Sequence, residues 1–177
     1  MTNLADQRFE KYTPSQMGRE DFASVFGHVY ENSSWIAIQA WNIGLTNQDD
    51  TLAGLSKSFI DVIECAGRES QLQLLRAHPK LAERVSKGVK ITEVSRKEQA
   101  SVGLNGCSEE EFYEFQELNR LYSDNFGFPF ILAVGGRHRT EILEIFRSRL
   151  VNEVEDELAE ALQQVYQIAY LRLREIN

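Results

Sequence analysis

Apolar residues recur at helical spacing along almost the whole chain, and no stretch of sustained apolar–polar alternation marks a half-buried strand. After Thr13-Pro14-Ser15, the segment MGREDFASVFGHVYE sets Phe22, Val25, Phe26 and Val29 on one helical face, with His28 inside the same amphipathic helix. SSWIAIQAWN predicts a second, aromatic-rich helix. A third covers Thr51 to Ala66 on a stripe of Leu52, Leu55, Phe59, Val62 and Ile63, and Gly67 ends it, as glycine does just past a helix. A short helix from about Ser70 to Ala77 then runs into His78-Pro79.

Residues 82–94 read as irregular, and Ser95 opens a short helix that Gly103 closes. Ser108-Glu109-Glu110-Glu111 has the pattern of a capping box. It starts a helix bearing Phe112, Phe115, Leu118 and Tyr122 that ends near Gly127. FPFILAV is the one strand-like run; Pro129 and its isolation make it a buried connector. Thr140 starts a helix with Ile142, Leu143 and Phe146. The last helix, Asn152 to Leu173, buries Val154, Leu158, Ala161, Leu162, Val165, Ile168 and Ala169. The expectation is an all-α, single-domain helical bundle over residues 1–177, with no repeat or linker.

Composition narrows the class. Hydrophobic residues at 42% and charged residues at 26% are those of a folded globular chain. A net charge of −8 argues against general nucleic-acid binding and leaves room for a small anion only at a local cation pocket. No apolar run is long enough for a bilayer, and the first residues lack an apolar signal core. Cys65 and Cys107 have no metal or redox spacing, so a reduced, cytoplasmic protein is expected. No zinc, nucleophile-elbow or phosphate-loop motif occurs, so any chemistry is expected to run without a metal or cofactor.

Four segments carry candidate chemistry. A residue before proline is pushed out of the α region, so His78 has its ring aimed by a stiff backbone just past a helix end. An imidazole so held suits proton transfer near neutrality, and equally an ordinary helix stop. Ser95-x-x-Glu98 in ITEVSRKEQASVGL reads as a helix cap. The same helix start offers backbone N–H groups to an oxyanion, and Gln99 adds an amide suited to an imide or urea. Arg172 lies eighteen residues after Val154, five turns at 3.6 residues each, and so interrupts the apolar stripe that Arg174 avoids. It is either internally paired with an acid or a fork for a substrate carboxylate. Phe130 to Val134 are core-like, yet an extended run cannot satisfy its own backbone groups and some are available to a flat polar ring. His138 and the Arg137/Arg139 cluster read as solvent-facing loop residues.

Taken in order, FGHVYENSSWIAIQAW, AHPKLAERV, ITEVSRKEQASVGL, LNRLYSDNFGFPFILAVGGRHRTEIL and IAYLRL resemble one family over nearly the whole chain. That family is the 2-oxo-4-hydroxy-4-carboxy-5-ureidoimidazoline (OHCU) decarboxylases of urate degradation. One departure is the Val134-Gly135-Gly136-Arg137 loop, where the family often carries Ala-Arg-Gly-Lys; it touches only fine contacts. The resemblance implies an all-α bundle, no cofactor, a homodimer and (S)-allantoin as product. It makes His78 the catalytic acid/base and Glu98 its partner. Pro79, Ser95, Arg96, Lys97, Glu98, Gln99, Phe130, Ile131, Leu132, Ala133, Val134 and Arg172 would line the substrate. A non-catalytic helical module that binds an anionic purine breakdown product is the alternative, and would hold ligand without releasing CO₂. A purely structural helical protein would have Arg172 paired internally and Ser95/Glu98 only as a cap.

Overall fold

The computed structural model describes residues 7–81, 93, 97 and 108–177. Among the described residues the architecture is all-α, as the spacing predicts. The named helices are α1 (Arg19–Phe26), α2 (Trp35–Ile43), α3 (Leu52–Cys65), α4 (Arg68–Arg76), α5 (Glu109–Phe126), α6 (Arg139–Arg149) and α7 (Val154–Ile176). An isolated antiparallel bridge pairs Arg8 with Thr51. No described helix is long and apolar enough to cross a membrane. The chain divides into two compact units: Met1–Ala77 with Val165–Asn177, and His78–Gln164.

In the first unit α3 carries the predicted buried stripe. Thr51 caps it, its Oγ1 accepting from Gly54 N–H at 3.0 Å. Gly54 is required there because a Cβ would lie 1.9 Å from the Gln48 carbonyl oxygen. The predicted stripe of Leu52, Leu55, Phe59, Val62 and Ile63 is buried throughout. Phe59 meets the edges of Phe22 and Tyr30 at 6.3 and 5.9 Å, and Phe26 packs on Phe9 and Phe22. Two expectations shift. α1 stops at Phe26, its last turn closed by Gly27 N–H on the Ala23 carbonyl, so exposed His28 lies in a turn rather than a helix. Gly67, at φ +79, separates α3 from α4, which starts at Arg68, earlier than Ser70.

In the second unit Ser108 and Glu111 form the predicted capping box, with reciprocal bonds of 3.1 and 2.9 Å. The Glu111 carboxyl is held below the usual carboxylate range by the Ser108 backbone N–H first and by Arg139 second. Gly127 ends α5 in the left-handed region at φ +76. We expect Ser108→Ala to lower stability by about 1 kcal/mol, read from the midpoint of thermal unfolding. The core is aromatic: Tyr122 touches Phe126, Phe128, Phe130 and Phe146, and Phe130 stacks on Phe146 at 3.8 Å. FPFILAV is a buried connector, neither helix nor strand from Pro129 to Val134. The Arg137/Arg139 cluster is not free in solvent, since Arg139 pairs with Glu111 at 2.8 Å and Arg137 with Glu141 at 3.6 Å. His138 caps α6 by accepting from Thr140 N–H.

Two further expectations change on α7 and near Ser95. Val154 is 46% exposed, so the buried stripe begins one turn later, at Glu157 and Leu158. The first turn, Val154 to Glu157, is acid-rich, which suits the positive end of a helix. Glu93 is helical, whereas the sequence places it in an irregular stretch; the rest of 82–94 lies outside the described residues. The helix bounds at Ser95 and Gly103, and Cys107, lie outside the described residues.

Candidate active site

His78 follows directly on α4. The Ala77 N–H bonds the Gln73 carbonyl at 3.0 Å and completes the last turn, after which Pro79 forbids continuation. The imidazole is buried. The segment after it is held too: buried Asn119 on α5 donates from Nδ2 to the Leu81 carbonyl at 2.9 Å. Pro79 is half-buried.

Phe130, Ile131, Leu132, Ala133 and Val134 are all buried, and protein groups reach their main chain at three points. Arg149 Nη1 donates to the Ile131 carbonyl at 2.7 Å, the Ala133 N–H donates to Gln164 Oε1 at 3.0 Å, and the Arg137 N–H donates to the Val134 carbonyl at 3.0 Å. Behind them stands a buried ionic cluster. Arg149 Nε and Nη2 reach Glu157 Oε1 at 2.8 and 2.5 Å, and its guanidinium lies 4.7 Å over the Phe130 ring. Tyr122 donates its hydroxyl to the same carboxylate oxygen, and Asn152 Nδ2 donates to Glu157 Oε2 at 2.7 Å. Burial pushes the Tyr122 phenol well above its ordinary range, so it stays a donor.

In the first unit Arg172 is 5% exposed, as its place on the stripe predicts. Its Nη1 donates to the Val29 carbonyl at 3.2 Å and to Glu31 Oε2 at 3.3 Å. Internal pairing with an acid is therefore present. Glu31 is itself buried. Beside it Tyr30 is raised by burial, and Tyr166 is pushed up to about 12 by the same cause.

Lys97 is exposed and pairs with Glu93 at 3.4 Å. Ser95, Arg96, Glu98 and Gln99 lie outside the described residues. Sequence reasoning missed Arg149, Glu157 and Gln164. The signal was available for two of them: Glu157 and Gln164 flank Ala161 at helical spacing and interrupt the same stripe as Arg172.

Among the described residues this is an all-α protein that buries the polar side chains of His78, Arg149, Glu157, Gln164 and Arg172. Comparison with known proteins narrows this class. The family model described as OHCU decarboxylase matches residues 15–174, and the chain belongs to that family. It is 36% identical to a 2-oxo-4-hydroxy-4-carboxy-5-ureidoimidazoline decarboxylase of Halalkalicoccus jeotgali, over 92% of this chain and 89% of that protein. It is 35% identical to the uric acid degradation bifunctional protein of Bacillus sp. (strain TB-90), over 92% of this chain but only 31% of that longer protein. A crystal structure of (S)-allantoin synthase superposes with a TM-score of 0.73 at 26% identity, covering 92% of this chain and 52% of that one.

Proposed function

We propose that this chain decarboxylates OHCU to (S)-allantoin, a carboxy-lyase step in urate degradation, and that residues 1–177 are a single OHCU decarboxylase-like domain. The observation that carries the reading is the unbroken family match over residues 15–174, which includes both His78 and Arg172. Burial of these two side chains supports it, because polar interactions with a ligand are stronger away from bulk water.

The chemistry asks little beyond placement and protons. The substrate bears a carboxylate and a hydroxyl on one ring carbon, next to a C=N bond. As the bond to the carboxylate breaks and CO₂ leaves, its electron pair forms a C=C bond to the neighbouring carbon, and the imine nitrogen takes a proton. The hydroxyl then gives up its proton to become a carbonyl, and the former imine carbon gains one on a single face. The balance is one proton taken up and one CO₂ released. Arg172, Gln99 and the main chain of residues 130–134 orient the ring and its carboxylate, while His78 with Glu98 moves the protons. Pro79, Ser95, Arg96 and Lys97 complete the lining. A cytoplasmic homodimer without nucleic-acid or membrane partners belongs to the same proposal, in keeping with the net charge of −8.

The test generates OHCU in situ with urate oxidase and hydroxyisourate hydrolase and follows allantoin by circular dichroism. The expected result is faster CO₂ release and a single hand of product. Binding without CO₂ release would identify a non-catalytic module instead.

A further inference from the structure

We infer that Arg149 and Gln164 are positioning residues for this reaction, acting through the main chain of Leu132; the inference rests on the proposed function and deepens it. Two hydrogen bonds grip the peptide groups on either side of that residue. Arg149 Nη1 holds the Ile131 carbonyl at 2.7 Å, and Gln164 Oε1 holds the Ala133 N–H at 3.0 Å. A planar trans peptide keeps its C=O and N–H on opposite sides, and the described residues contain no cis bond. Turning the Ile131 carbonyl towards Arg149 therefore turns the Leu132 N–H away from it. Turning the Ala133 N–H towards Gln164 turns the Leu132 carbonyl away from Gln164 in the same manner.

Leu132 is 5% exposed, and its N–H and C=O form no hydrogen bond among the described residues. A buried donor and acceptor on one residue call for a partner. The 2-oxo ring of OHCU carries an N–H beside a carbonyl, the reciprocal pair. The two grips are themselves oriented. Gln164 Nε2 donates to Glu160 Oε1 at 2.7 Å, and a carboxylate can only accept, so the amide must present its oxygen to Ala133. Arg149 is locked by Glu157 at 2.8 and 2.5 Å. These side chains touch no reacting atom; they set the angle at which the main chain meets the ring.

The test uses the full chain and Gln164→Met, which keeps length and removes the acceptor. Unfolding midpoint, KM, kcat and product handedness are measured for both, with (S)-allantoin binding followed through the Leu132 amide resonance. The expected result is a rise in KM of about tenfold, the worth of one oriented hydrogen bond, and a Leu132 signal in wild type that moves strongly on adding (S)-allantoin. Unchanged KM and handedness in a folded Gln164→Met would overturn the inference and leave the function standing. A Leu132 amide that ignores bound allantoin overturns it as well, even where the variant fails to fold. Wild-type protein that releases no CO₂ overturns the function, and this inference with it.

Discussion

Replacing His78 by alanine is expected to return allantoin formation to its spontaneous course while the fold persists. A positioned acid or base contributes roughly 10²–10⁴-fold to a rate, and His78 is the residue proposed to move protons at two points of the reaction. Product formed in the presence of the variant should be racemic, because spontaneous protonation favours neither face. Far-UV circular dichroism and (S)-allantoin binding should stay close to wild type. The α4 turn is closed by Ala77 on Gln73, and Leu81 is held by Asn119, so neither anchor of the segment involves the imidazole. His78→Gln, which places an amide of similar reach there without a titratable group, should likewise keep binding and lack turnover. Turnover at the wild-type rate in His78→Ala would end the assignment of that role.

What the sequence made legible follows from how local each signal is. Periodicity alone located α3 and α5, because their stripes, Leu52 to Ile63 and Phe115 to Tyr122, need only neighbours along one helix. The cap at Ser108 and the stop at Gly127 are equally local. Arg172 was legible as a stripe interruption although its chosen reference, Val154, turned out exposed, since Val165 and Ala169 define the same face. Its partner Glu31 was not, because 141 residues separate them and one glutamate among 27 acids carries no mark in the sequence. Arg149 was hidden for a related reason. It ends a helix whose last turn also holds exposed Arg147, and a C-terminal arginine ordinarily needs no more explanation than the helix dipole. Only the fold reveals that it points inward at Glu157. The role of Pro79 as a helix stop was plain, whereas the consequence of an extended Phe130–Val134 run depended on side chains from α6 and α7.

The buried pair gives the largest expected effect on stability. Arg149→Met leaves Glu157, fully buried, with its charge uncompensated, and should cost about 3–5 kcal/mol in urea unfolding. Glu157→Leu strands the guanidinium and also removes the acceptor for the Tyr122 hydroxyl, so its cost should be at least as large. Removing both charges together is a different event: no ion is left dehydrated, and apolar side chains refill a site already lined by Phe130 and Phe146. The combination Arg149→Met, Glu157→Leu and Tyr122→Phe should therefore be more stable than either single variant, with a coupling energy of about 2 kcal/mol or more between the charged positions. Its activity should nevertheless stay low. A methionine cannot hold the Ile131 carbonyl, and so cannot fix the peptide that precedes Leu132. Stability regained without turnover would separate the two tasks of Arg149, one electrostatic and shared with Glu157, the other geometric and its own. Single-variant losses that simply add, or a triple variant that recovers full activity, would mean that the cluster is packing alone.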